Sequence, residues 1–268
     1  MSDQIDRFSF GKNWASFLLT VNEERIRLAE ETLCDALEIQ DLDGVRLLDI
    51  GCGSGLFSLA ARRLGAEVHS FDFDEDSVTC TQELRRRYLP DDKAWLIERG
   101  SVLDDAYLES LGQWDVVYSW GVLHHTGDMY GALDNVAPLV ANNGKLFISI
   151  YNDEGYKSRG WAWVKQTYNQ RRWTRGFLLA YGFWHAWGLT MIIDLVKLQP
   201  FKRWREYYLE RGMSGWHDVV DWVGGWPFEV ATPEAIFEHF SRLGFKLNRL
   251  RTLQGKGCNE FVFLREPP

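Results

Sequence analysis

The chain has 268 residues, a formal charge of −8, and 46% hydrophobic and 25% charged residues, a balance that is ordinary for a soluble globular chain and that argues against a nucleic-acid backbone as the main partner. The length suits one large αβ domain with an insertion, or two small domains. The composition is unusual in its aromatics, with 13 Trp, 16 Phe and 10 Tyr, as expected of an aromatic core or an apolar ligand pocket.

Four cysteines (Cys34, Cys52, Cys80 and Cys258) lie far apart with no CxxC pair. Neither a zinc site nor a redox motif is indicated, and reduced thiols in a cytoplasmic protein are expected. The N-terminal stretch lacks the basic, then apolar pattern of a signal peptide. Phe8 to Trp14 puts aromatics beside a glycine ahead of any strand, and reads as a flap in which Phe10, Asn13 and Trp14 cover a cofactor or substrate. Asn13 or Asn22 supplies the cap for the helices that follow. Glu23 to Gln40 is amphipathic, with Ile26, Leu33 and Leu37 near one face.

Val45 to Ile50 is a short apolar run with one acid, the pattern of a buried parallel strand. Gly51, Gly53 and Gly55 follow at alternate positions, where the backbone can turn tightly and lie against a ligand. Leu56 to Leu64 has helical spacing, and Glu67 to Phe71 is a second strand ending at Asp72. An acid at that tip can accept hydrogen bonds from the hydroxyls of a ribose. A dinucleotide site also uses a glycine turn between strand and helix. Its fingerprint wants a third small residue at position 56, where this chain has Leu56. Asp49 has no task at a pyrophosphate and suits a ligand carrying an ammonium group.

The run Asp49-Ile50-Gly51-Cys52-Gly53-Ser54-Gly55 resembles the first motif of the class I S-adenosylmethionine (SAM)-dependent methyltransferases, and Asp72 matches that family's ribose-binding acid. The resemblance implies a Rossmann-like, mostly parallel sheet of about seven strands with the last antiparallel and helices on both faces. It also implies SAM as cofactor. Asp49, Gly51, Cys52, Gly53 and Gly55 would hold the methionine part and Asp72 the ribose. Phe73, Ser101 and Val102 would frame the adenine, although Ser101 stands where an acid is commoner. Ser119 and Trp120 would lie near the methionine end, with Trp14 closing over the cofactor.

The alternation continues. Ser77 to Tyr88 is helical and is stopped by Pro90, and Ala94 to Ile97 is the third strand. Asp115 to Ser119 is the fourth, running into Trp120-Gly121-Val122-Leu123-His124-His125 at the rim where ligands sit in open αβ sheets. Two adjacent histidines there are the best candidate bases in the chain. Gly-Val-Leu-His-His gives the resemblance the flavour of quinone-biosynthesis-like small-molecule methylases. Ser119 to Val122 replaces the Asn/Asp-Pro-Pro-Tyr/Phe of family members acting on amides or exocyclic amines. Met129 to Val140 is a helix, Asn142-Asn143-Gly144 a turn, and Lys145 to Tyr151 the fifth strand.

Residues 152 to about 230 interrupt the alternation far beyond a normal loop. Gly176 to Ile193 is apolar apart from His185 and Thr190, and basic residues flank it. With a central histidine, three glycines and barely enough length, it reads as a lid helix or helical pair over the active site and not as a stable span. Interfacial contact with a bilayer stays open. Arg211 to Glu229 interleaves His217, Asp218 and Asp221 with tryptophans, the composition of a pocket wall. Thr232-Pro233-Glu234 starts a helix. Phe245 to Leu253 and Glu260 to Leu264 are the last two strands.

The expected organisation is an N-terminal helical cap over 1–44, a SAM-binding core over 45–151, a helical aromatic insertion over 152–230 and the rest of the core over 231–268. The expected reaction moves a methyl group to an apolar or aromatic small molecule. For a hydroxyl acceptor, His124 or His125 is the first choice of base and His217 the second. Phe10, Tyr151, Trp216, Asp218, Trp226 and Asn259 are expected to touch the acceptor, with Gln254 and Glu260 behind them. No metal-ligand spacing occurs. An N- or C-methyltransferase, which needs no base, and a non-catalytic SAM-binding partner subunit are the other readings.

Overall fold

The computed structural model describes residues 8, 14, 17–205, 215–253 and 257–267, the side chain of residue 217 excepted. Phe10, Asn13 and Gln254 lie outside the described residues, as does the His217 side chain.

A seven-stranded sheet organises the chain: β1 (Arg46–Ile50), β2 (Glu67–Asp72), β3 (Trp95–Arg99), β4 (Trp114–Trp120), β5 (Val140–Tyr151), β6 (Phe245–Arg251) and β7 (Cys258–Arg265). Their order is β3-β2-β1-β4-β5-β7-β6. β7 is antiparallel to both of its neighbours and the other pairings are parallel. The sheet is that expected from the motif. β1 sits where the strand order reverses, so the crevice beyond its carboxyl end is a natural ligand site.

Strand alternation divides the core. Leu47, Val68, Val116 and Phe147 face α1 (Glu23–Leu37), α2 (Leu56–Arg63) and α3 (Glu75–Tyr88). Leu48, Phe71, Val117 and Ile148 face α4 (Asp105–Leu111), α5 (Met129–Val136) and α9 (Pro233–Arg242). Successive side chains of a strand point to opposite faces. Asn22 caps α1, accepting from Arg25 N at 3.0 Å, and Thr232 caps α9.

Two local expectations are corrected. Asn142-Asn143-Gly144 is not a free turn but an irregularity inside β5, where the β4–β5 register shifts between Trp114 and Val116 and Asn143 takes φ 62°. The helix expected over Met129 to Val140 ends at Val136, and a 3-10 turn over Ala137–Leu139 containing Pro138 carries the chain into β5.

The insertion has a core of its own. α6 (Tyr156–Gln170), α7 (Arg175–Val196) and α8 (Gly215–Gly224) bury Trp161, Val164, Tyr168, Trp187, Val219 and Val223 together. Phe8 packs on that cluster, and its backbone N–H donates to the Trp226 carbonyl at 3.0 Å.

Candidate active site

A single cavity of about 1430 Å³ runs from the glycine turn to the insertion. Gly51 and Gly53, Asp72, Phe73, Ser101 and Val102 line one end, with Trp14. Trp120, His125, Tyr151, Asp218, Trp222 and Trp226 line the other.

The turn is set by backbone conformation. Gly51, Gly53 and Gly55 have φ of +76°, +56° and +79°, a region that costs L-residues with a Cβ. A Cβ on Gly51 would strike the Val122 side chain, and one on Gly53 would come within 3.1 Å of the Trp14 indole. Trp14 therefore lies across the turn.

Asp72 is anchored from both sides. Gly53 N donates to Oδ2 at 3.0 Å and Asp74 N to Oδ1 at 2.9 Å. Burial pushes its carboxyl up to about 6, against the pull of those N–H groups. Hydroxyl donors from a ligand would relieve that desolvation. Phe73, 49% exposed, presents its ring in the cavity next to it, with the Arg99 guanidinium 5.7 Å from its centroid. Ser101 lines the cavity, but its hydroxyl is engaged by Leu103 N at 3.2 Å.

Several expected contacts stand behind the wall. Asp49, 2% exposed, does not line the cavity. Its carboxylate accepts from the Ser58 hydroxyl, which lies 2.7 Å from the Ser70 hydroxyl, which accepts from Trp95 Nε1 at 2.8 Å. Burial, together with Asp72, pushes Asp49 up to about 7 although Ser58 pulls the other way. The residue anchors β1 beneath the turn instead of presenting a charge to an ammonium group. Cys52 is buried beside Thr81, whose hydroxyl donates to its Sγ at 3.3 Å, and Gly55 also faces Thr81. Ser119 is fully buried and donates to the Ile50 carbonyl at 3.1 Å. Asn259 bonds Asn152 Oδ1 at 3.0 Å and receives Leu253 N at 3.2 Å, tying the β6–β7 loop down. Trp216 is 44% exposed and packs toward Phe183 outside the cavity.

The two histidines differ. They sit in a 3-10 turn over Leu123–His125 after β4. His124 is buried away from the cavity. Burial, then His125 and Lys165, drive its basicity well down, with only the Ser149 backbone opposing. His125 reaches the cavity. Its Nδ1 lies 2.5 Å from the Pro227 carbonyl, which can only accept, so Nδ1 carries the proton and Nε2 the lone pair in the neutral ring. Burial and the Lys165 charge push it down to about 3.

The segment after α8 straps this turn in place. Glu229 N donates to the His124 carbonyl at 3.0 Å, and the Glu229 carboxylate accepts from Gly127 N at 3.0 Å and Met129 N at 3.1 Å. The Tyr151 ring packs at a tilt against both His124 and Phe228, with centroids 4.0 Å and 5.2 Å apart. Trp120 Nε1 donates to Glu260 at 3.1 Å, so the last strand does reach the rim.

Lys165 and Glu229 were not marked as candidates from the sequence. Lys165 is fully buried on α6, donates to the Trp222 carbonyl, and lies 4.3 Å and 4.8 Å from the Trp222 and Phe228 ring centroids. A lysine sharing the apolar stripe of Trp161 and Tyr168 was the available signal. For Glu229 there was none, because its partners are about a hundred residues away.

Sheet order and glycine-turn site together define the fold of the SAM-dependent methyltransferases. Residues 21–205 match a family model described as a methyltransferase domain, and the chain belongs to that family. The ubiquinone biosynthesis O-methyltransferase of Xanthomonas oryzae pv. oryzae is 33% identical over 112 residues, 42% of this chain and 45% of the relative. The match thus spans about half the length of the curated relatives. Among solved structures, magnesium protoporphyrin IX methyltransferase (ChlM) from Synechocystis PCC 6803 with bound S-adenosylhomocysteine (SAH) superposes with TM-score 0.53 at 17% identity, covering 92% of this chain and 89% of the other. A SAM-dependent methyltransferase from Aquifex aeolicus gives 0.52 at 11% identity, covering 94% and 98%.

Proposed function

We propose that the protein transfers a methyl group from SAM to a hydroxyl of an apolar or aromatic small molecule, with His125 assisting. The observation that carries this reading is the continuity of one cavity between the Gly51–Asp72 end and the Tyr151–Trp222 end.

The first end suits an adenosyl group. Asp72 offers a carboxylate already held in position, the turn has no Cβ to block approach, and Phe73 supplies an aromatic face. SAM supplies a methyl group already activated on a sulfonium, so positioning is the protein's main task. Asp49, Cys52 and Ser119 serve that task indirectly by fixing the turn and the ends of β1 and β4.

The second end is aromatic, with Asp218, Asp221 and Glu260 among its lining acids. Methylation of a hydroxyl forms a carbon–oxygen bond as the methyl–sulfur bond of SAM breaks to leave SAH, and the hydroxyl proton passes to water. His125, held by the Pro227 carbonyl with its lone pair on Nε2, accepts a hydrogen bond from the hydroxyl and orients it. Its depressed basicity keeps it unprotonated at neutral pH, which suits an acceptor of hydrogen bonds better than a strong base. The O-methyltransferase name of the Xanthomonas relative supports a hydroxyl acceptor.

Calorimetric titration with SAH tests the cofactor: micromolar binding by the wild type is expected, and no binding would sink the reading. Turnover of candidate phenols with labelled SAM, wild type against His125→Ala, tests the acceptor. Undiminished turnover in the variant would favour an N- or C-methyltransferase.

A further inference from the structure

Helix α7 has two apolar faces, and among the described residues only one of them is covered. Its inner stripe, Leu179, Phe183, Trp187 and Asp194, turns toward α8 and the insertion core. A Cβ on Gly182 would strike Val223 of α8, so the two helices are in close contact. His185 and Thr190 line the cavity. The outer stripe follows the helical spacing Phe177, Tyr181, Trp184, Ile192, Leu195. These side chains are 76%, 50%, 64%, 47% and 65% exposed. Soluble proteins rarely leave such a contiguous aromatic and aliphatic stripe bare.

The charge around the stripe says what covers it. Residues 171–205 carry seven basic side chains and one acid, Asp194, in a chain whose net charge is −8. Arg171 and Arg172 stand before the helix, Lys197 and Lys202 after it, all exposed. Apolar side chains between basic ends, with Trp and Tyr among them, match the headgroup and upper acyl region of an anionic bilayer.

Arg172–Val196 is long and apolar enough to cross a membrane, but crossing would tear it from α8. It would also drag Asp194 into hydrocarbon, with the backbone N–H of Arg203 that it accepts at 3.0 Å and the Arg203 side chain at 3.5 Å. Lying flat keeps every inner contact.

We propose that the outer face of α7 seats the protein on the surface of an anionic lipid bilayer. Because the same helix lines the cavity, and resting on the methyltransferase reading, the acceptor is an amphiphile dissolved in that bilayer that enters the cavity along α7.

The test is flotation of the full chain with phosphatidylcholine vesicles, with or without roughly one-third phosphatidylglycerol, alongside SAH titration of the same samples. Wild type should float with the anionic vesicles, lose most of that binding without the anionic lipid, and lose it again in high salt. The triple variant Phe177→Glu, Trp184→Glu, Ile192→Glu, whose side chains lie outside the cavity, should stay at the bottom while binding SAH like wild type. Lys197→Glu with Lys202→Glu should weaken flotation on anionic vesicles. Wild type that binds SAH but does not float, or a triple variant that floats equally well, overturns the proposal. So does a wild-type dimer that the triple variant breaks and that ignores vesicles, which would make the stripe a contact between copies. Flotation without SAH binding would sink the methyltransferase reading and leave the membrane surface standing.

Discussion

The glycine turn after β1 keeps its shape through the backbone, whereas the wall built by α6, α7 and α8 keeps its shape through side chains. At the turn, three consecutive odd positions adopt left-handed φ and the Asp72 carboxylate is fixed by two N–H groups. In the wall, a buried lysine against Trp222 and Phe228 and a strap from Pro227 to Glu229 do the work. The first arrangement is local and uses chemistry that a short motif can specify. The second depends on residues brought together from across the chain, and it turns one apolar helix face outward. A backbone-built site tolerates variety around it, while a side-chain-built one can change its acceptor by changing a few large residues.

The comparison is tested most severely by stability. Phe261→Ala, in the fully buried sheet core, should cost about 3–5 kcal/mol of unfolding free energy. Trp184→Ala on the outer stripe of α7 should cost less than about 0.5 kcal/mol, as at other exposed sites. Denaturant melts of both check it, and a large loss from Trp184→Ala would mean that the stripe is covered in solution.

Asp72→Ala should weaken SAH binding by about 100-fold, the size expected from losing hydrogen bonds to a charged group, about 3 kcal/mol. The same affinity should fall as pH drops through about 6, where the raised Asp72 carboxyl takes up its proton, and Asp72→Asn should remove that dependence. Calorimetry over pH 5 to 8 (roughly the range a raised carboxyl samples) measures both.

At the other end, His125→Ala should leave SAH affinity unchanged and reduce turnover of a hydroxyl acceptor by about tenfold, the size of one orienting hydrogen bond of about 1–1.5 kcal/mol. Its titration also bears on folding. Its basicity is lower in the folded protein (about 3) than the ordinary value of 6.5, so the unfolded chain binds the extra proton. The stability involved is complete above about 6.5 and is lost as pH falls toward 3, by at most about 1.4 kcal/mol per pH unit. His125→Asn should therefore flatten the acid side of the stability profile.

The smallest effect is expected at Ser101. Its hydroxyl is already engaged by Leu103 N, so Ser101→Ala should change SAH affinity by less than about threefold, within the range of a single neutral hydrogen bond.

The sheet was legible because parallel strands read as apolar runs and the glycine turn as punctuation, both local signals. Asp72 and Phe73, which line the cavity, could be singled out for the same reason, since they stand at the end of β2. Asp49 was legible as a motif residue but not as to direction. Whether it faces the ligand or Ser58 depends on which way β1 presents its alternating side chains, and neighbouring strands and helices decide that. His124 and His125 were equivalent as letters, and a 3-10 turn made one a buried ring and the other a cavity wall. The bend in β5 escaped because Asn-Asn-Gly is also the composition of an ordinary turn.

The sequence by itself determined the αβ alternation, the glycine cradle and its ribose-type acid, because propensity and φ preference act over a few residues and need no partner. It also determined that an aromatic insertion with basic flanks follows the fifth strand. Only the tertiary structure decided that this insertion shares one cavity with the glycine turn, that His125 rather than His124 faces it, and that Lys165 and Glu229 support it. It also decided that α7 keeps one apolar face for the protein and turns the other outward. Those facts depend on contacts between residues about fifty to a hundred positions apart, such as Lys165 with Trp222 and His125 with Pro227, whose partners folding selects and no local pattern encodes.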